Sequence, residues 1–281
     1  MVPASQLVPA GFSLAAVLSW GTSDFVGGYA ARRANAFLLT TVAHASGTVL
    51  MTTLAVLNHS QYPSRNSVIW ALAAGCVGGA ALAIFYRALA AGKMGLTAPV
   101  AAVLGAAIPA IFSMLTEGLP GSVRIAGFAL AGTGLWLISR PEDDSHPEGL
   151  GLAVLAGIGF AGFFLCIKQA GDGSALWTAA LARVASFVVT GAIVLFGRNF
   201  RDISRSSAAL GVLAGCLDVT GSALFVRASQ TGRLDAAVVI SSLYPALTVL
   251  LARLLLKEHF TWWKAVGMLA ALLAVPMIAL Q

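Results

Sequence analysis

Apolar residues gather into ten runs with short polar breaks between them, near Val8–Gly28, Phe37–Val56, Val68–Ala90, Leu96–Leu115, Val123–Ile138, Leu150–Ala170, Ala175–Phe196, Ala208–Ala228, Leu234–Leu256 and Trp262–Leu280. A helix needs about 20 apolar residues to cross a hydrocarbon core of roughly 30 Å. The pattern therefore predicts an all-α membrane protein with ten transmembrane helices. The fifth run is short for that span. One markedly charged break, Arg140–Glu148, reads RPEDDSHPE and falls at the middle of the chain. It separates residues 1–140 from residues 150–281, with 141–149 as an acidic linker between them.

The two parts resemble each other. Ala74–Lys93, AGCVGGAALAIFYRALAAGK, set over Ala214–Arg233, AGCLDVTGSALFVRASQTGR, pairs Cys76 with Cys216, Phe85 with Phe225 and Arg87 with Arg227 at a constant offset of 140. Shared apolar composition does not align Cys, Phe, Arg and Gly together. Each half then holds five spans, and an odd number makes the second copy enter from the opposite side. The expected architecture is two inverted five-helix repeats, which in secondary transporters places the substrate site near the midplane.

Composition agrees with the pattern. The chain is 58% hydrophobic and 10% charged, with a mean hydropathy of +0.87. Soluble domains carry about 25% charged residues. The net charge of +6 comes from Lys and Arg at the ends of apolar runs. Such residues act as topology anchors, and no basic run interleaved with aromatics suggests nucleic acid. Odd-numbered loops and helix ends carry eleven Lys and Arg against five for the even-numbered ones. By the positive-inside rule both termini lie outside.

Several motifs resemble the drug/metabolite transporter superfamily, specifically its ten-span members with two EamA domains. Ser241–Ala271 has a mid-helix Pro245, Glu258 closing the run and Gly267 in the last span. Leu104–Gly134 repeats this more loosely with Pro109, Glu117 and Gly127, and Trp20-Gly21 is similar to the family's opening helix. The resemblance implies an integral protein of the bacterial cytoplasmic (inner) membrane that exports a metabolite, amino acid or drug. It also implies cytoplasmic termini, against the charge count.

Ionisable groups inside spans are costly and mark candidate sites. Asp24 near the end of span one and His44 near the start of span two lie close to the same face. Arg183 and Asp218 fall near mid-depth in spans seven and eight. One reading makes these four line a polar cavity, with Asp24 and His44 exchanging a coupling proton and the other two holding a substrate. The other makes them structural ion pairs or polar glue between helices. Trp20, Tyr86 and Tyr244 are aromatic candidates for the cavity wall, with ordinary packing as the alternative. Pro109 and Pro245 are candidate kinks that free backbone carbonyls, and Ser241 precedes Pro245 by one turn.

Other chemistry is absent from the pattern. No GxxxxGK[ST] loop suggests ATP drive, and no HExxH, Ser/Lys dyad or Cys/His ligand spacing suggests an enzyme, a metal site or a cofactor. The expected partners are a small-molecule substrate, membrane lipid and protons. The competing class is a non-transporting membrane scaffold or sensor, which would need a larger extramembrane region than these loops provide.

Overall fold

The computed structural model describes residues 4–91, 94–138, 140, 149–171, 173–197, 203–257 and 261–279. Among these, every regular element is an α-helix. In chain order they are α1 (Ala4–Ala31), α2 (Ala36–Leu57), α3 (Arg65–Ala91), α4 (Met94–Glu117), α5 (Ser122–Ile138) and α6 (Leu150–Ala170). There follow α7 (Ala175–Phe196), α8 (Arg205–Thr231), α9 (Leu234–Ser241), α10 (Tyr244–Leu256) and α11 (Trp262–Ala279). Most of the acidic linker, at residues 141–148, and Glu258 lie outside the described residues.

Among the described residues, seven rods are long and apolar enough to cross a membrane, counting Leu234–Leu256 as one, and Ser122–Ile138 and Trp262–Ile278 are shorter apolar helices. At 28 residues, α1 is long enough to cross, at about 1.5 Å per residue. It is less apolar because Ser13, Ser23 and Asp24 are turned into the protein, where they are buried. The outer surface is lined by apolar side chains on nearly every helix, including Leu18, Val49, Ile69, Leu115, Leu155, Val188 and Leu254. Soluble monomers rarely expose apolar patches larger than a few hundred Å². This exterior suits hydrocarbon.

The sequence places the ninth span as one continuous run, and here the structure differs. The helix stops at Ser241 and restarts at Tyr244, with Pro245 in the first turn of the new segment. Proline has no backbone N–H and fits a helix best in its first turn, where that donor is not needed. In α4, by contrast, the helix runs on through both Pro99 and Pro109.

Packing is between halves as much as within them. α1 lies along α8, α6 along α3, α2 along α7, and α5 along α11. α4 packs on α6, while α1 packs on both α9 and α10. Exchanging the halves maps this set of pairings onto itself. Burial repeats as well: from residue 71 to 90, every buried position except Ala83 has a buried counterpart 140 residues later.

The tightest approaches fall at matched glycines. A Cβ on Gly75 in α3 would overlap the Ala182 carbonyl oxygen in α7, and a Cβ on Gly215 in α8 would overlap the Ala43 carbonyl oxygen in α2. Gly134 and Gly267 bring α5 and α11 together in the same way, each facing the other's carbonyl at 2.7 and 2.6 Å from an added Cβ. Small residues let helix backbones touch, and in lipid this dispersion contact is a main source of helix association.

Gly75→Ala and Gly215→Ala should each destabilise the protein by about 1–3 kcal/mol, because α-helix backbones must separate to admit the methyl. Gly132→Ala, whose added Cβ meets nothing within 4 Å, should not. Thermal unfolding in detergent would show the difference, and equal melting temperatures for all three variants would contradict this packing.

Candidate functional site

The centre of the bundle holds a cavity that is partly open to the outside. Both halves build it. From the first come Trp20 and Asp24 on α1, Gly78 and Leu82 on α3, and Ala101, Ala102 and Gly105 on α4. From the second come Phe160, Phe163 and Phe164 on α6, Arg183 on α7, Asp218 and Ser222 on α8, Ser242 at the helix break and Tyr244 on α10.

The charged groups on this wall are buried, with 4% of Asp24, 5% of Arg183 and 6% of Asp218 exposed. Arg183 Nη2 lies 2.8 Å from a carboxylate oxygen of Asp218 and also donates to the Ser222 hydroxyl. The Ser222 hydroxyl in turn donates to the Asp218 carbonyl at 3.0 Å. A buried ion pair needs such added bonds to offset the loss of water around each charge. No hydrogen bond or ion pair from the described residues reaches the Asp24 carboxylate, which faces the cavity within electrostatic range of Asp218.

Aromatic packing fixes the wall. The Trp20 indole N–H donates to the Asp218 carbonyl at 3.0 Å, and Gly221 leaves room on α8 for the ring. Ser23, on the same face, donates to the Ala214 carbonyl at 2.8 Å, so α1 is stitched to α8 at two successive turns. Around Trp20, ring centroids lie 5.9 Å away at Phe164, 5.8 Å at Phe225 and 6.2 Å at Tyr244. These are the tilted and edge-on distances aromatic pairs favour. The α9–α10 break is held against α1: Thr248 donates to the Gly21 carbonyl at 3.1 Å, and Gly21 has no room for a side chain beside the Tyr244 carbonyl.

Of the residues singled out in the sequence, Trp20, Asp24, Arg183, Asp218 and Tyr244 share the cavity wall. Three stand behind it. Tyr86 is fully buried, with its hydroxyl 3.1 Å from Ser23 Oγ. His44 is fully buried on α2, within electrostatic range of Arg183 and in polar contact with the Gly79 backbone, and its ring nitrogens make no hydrogen bond to a side chain. No bond therefore joins His44 to Asp24. Ser241 is buried with its hydroxyl unpartnered, as is that of the adjacent Ser242, which does reach the wall. Pro109 lies within the uninterrupted α4, and Pro245 directly follows the break.

Sequence reasoning missed Ser222, one helical turn beyond Asp218, and the three phenylalanines of α6. The serine's spacing from Asp218 was a usable signal. The phenylalanines look like ordinary apolar filling until the fold turns them inward.

A second polar cluster ties helix ends together. Lys168 at the end of α6 lies 2.8 Å from the Glu117 carboxylate at the end of α4. Arg233 pairs with Asp235 at 2.9 Å and donates to the Glu117 and Gly118 carbonyls at 3.2 and 2.8 Å. The end of α4 is thereby tied to both α6 and the α8–α9 junction, across the two halves.

A crystal structure of a protein has the same fold, with a TM-score of 0.74 and 14% identity over 96% of this chain and 95% of that one. No curated protein sequence matches. Residues 147–280 match the EamA-like transporter family. The second half of this chain is thus similar to that family. Together with the apolar rods, the match supports an integral multi-pass membrane protein. The matched segment supplies Arg183, Asp218, Ser222 and the broken α9–α10 rod, and the first half supplies Asp24 and Trp20.

Removing one member of the Arg183–Asp218 pair leaves a buried charge without its partner, which typically costs about 3–5 kcal/mol. Arg183→Gln and Asp218→Asn should each lower the melting temperature, and the double variant should be more stable than the sum of the two losses predicts. Strict additivity in that double-mutant cycle would show that the pair is not coupled.

Proposed function

We propose that this chain is a secondary transporter that carries a small organic solute through the central cavity by alternating access between two inverted five-helix repeats. The observation that carries the reading is a cavity walled by both halves, in which the charged side chains of Asp24, Arg183 and Asp218 are buried within apolar rods, where ionisable groups are costly. Such charges are poor structural glue, and their placement around an open space suits solute recognition.

The pairing of helices supports the inverted repeat. It is unchanged when the halves are exchanged, and helix limits recur at one offset: α3 and α8 are both 27 residues long and start 140 residues apart. Five spans per half require opposite insertion. Alternating access then follows as rocking of one set of rods against the other about a central site. The Lys168–Glu117 and Arg233–Glu117 contacts tie helix ends together. They lie at the exposed rim of the bundle, where ion pairs contribute little stability and can break as the rods rock. Export is the direction that the family resemblance implies, and no ATP site is needed for either direction.

Purified protein in liposomes, tested against a panel of amines, amino acids, nucleosides and sugars with and without a pH gradient, should move at least one class of solute. Arg183→Gln should lower that flux about tenfold or more, in protein verified as folded. Flux at the normal rate in Arg183→Gln would remove the cavity from the pathway. Absence of flux for every solute would favour a membrane scaffold.

A further inference from the structure

The charges around the cavity do not balance. Two carboxylates, Asp24 and Asp218, face a single guanidinium, Arg183. That guanidinium is already committed to Asp218 at 2.8 Å and to Ser222. Lys168, Arg233 and Arg124 lie at helix ends, where they bond Glu117, Asp235 and the Ile278 carbonyl. His44 stands behind the wall, beside the cation Arg183 and the Gly79 backbone, and no bond joins it to Asp24. Asp24 is thus left with no cation among the described residues.

A carboxylate 4% exposed and without a partner is among the least favourable groups a helical bundle can hold, since its lost hydration is not replaced. It is tolerated where it takes up a proton or where a cation supplied from outside completes it. Trp20 lies one turn before Asp24 on the same face of α1 and shares the cavity with it, together with Tyr244 and Phe164. Aromatic faces attract cations, most strongly when both are out of water, and they repel anions.

Taking the cavity as the solute site proposed above, we infer that it accepts a small monovalent organic cation: an amine in its ammonium form, held at the Asp24 carboxylate with its apolar part against Trp20, Phe164 and Tyr244. The Arg183–Asp218 pair then acts as a polar wall with no net charge, the Arg183 guanidinium being offset by Asp218.

The test uses three probes of nearly equal size on purified full-length protein in detergent: phenethylammonium, 2-phenylethanol and 3-phenylpropanoate. Equilibrium dialysis at neutral pH should show the ammonium bound about tenfold more tightly than the alcohol, an increment expected of a charge-assisted contact, and the carboxylate weakest. In Asp24→Asn the ammonium and the alcohol should bind alike, with the alcohol unchanged from wild type. Asp24→Glu should keep the preference, which guards against a folding defect. Equal binding of the three by wild type, binding of none, or an ammonium preference that survives in Asp24→Asn would overturn the inference. A protein that carries only uncharged or anionic solutes in liposomes would overturn it and leave the transporter reading intact. Loss of all flux alongside an intact ammonium preference in detergent would do the reverse.

Discussion

Backbone contact at Gly75–Ala182 and Gly215–Ala43 is the constraint on which the rest of this bundle depends. Without a hydrophobic driving force between helices in lipid, close approach must provide the attraction. These two contacts bring α3 against α7 and α8 against α2. They cross the halves, so neither half packs its own third helix without the other's second. Ser186 reinforces one contact by donating to the Gly75 carbonyl at 2.8 Å, and Ser46 lies beside the other, where an added Cβ on Gly215 would meet its hydroxyl. Arg183 follows Ala182 directly on α7, and Asp218 lies three residues past Gly215 on α8. The same contacts that join the helices therefore set the depth and spacing of the buried ion pair.

From that crossing the cavity follows. Tight packing at the small-residue seams leaves the space between α1, α4, α6 and the broken α9–α10 rod less filled. Apart from Leu82, the apolar residues facing it are large rings or small Ala and Gly, a mixture that leaves room between the rings. Polar groups then fall into two classes. Arg183 Nη2 and Ser222 are bonded around Asp218, with Arg183 Nε left over, while the Ser241 and Ser242 hydroxyls have no hydrogen-bond partner and no bond from the described residues reaches Asp24. The unpartnered groups lie on or directly behind one wall of the space, where a solute can meet them.

Much of this was legible in the sequence. Hydrophobic runs located the helices, and α6 and α7 begin and end where the apolar runs do. The 140-residue offset anticipated which residues would occupy matched places, because Cys76, Phe85 and Arg87 recur with Gly75 and Ala88 around them. An ionisable residue in an apolar run is informative because desolvation makes it rare, and this singled out three of the cavity's charged groups. Other features were hidden for physical reasons. Proline in an apolar run signals a kink or a full break equally well, so Pro109 and Pro245 looked alike although only the second follows an interruption. The register between α1 and α2 depends on their separate partners, α8 and α7, and so nothing local separates Asp24 from His44. Phe160, Phe163 and Phe164 carry no mark that distinguishes a wall facing a cavity from one facing a neighbour.

The central claim is that the space between the halves is a passage reached from both sides of the membrane. It is tested most directly by placing a single cysteine at Ala102, on the cavity wall, in a chain whose Cys76, Cys166 and Cys216 are replaced by serine or alanine. A membrane-impermeant thiol reagent is then applied from one side at a time to vesicles of known orientation. The account predicts labelling at position 102 from either side, with slower reaction when a transported solute is present. Labelling from one side alone, unchanged by any solute, would contradict alternating access.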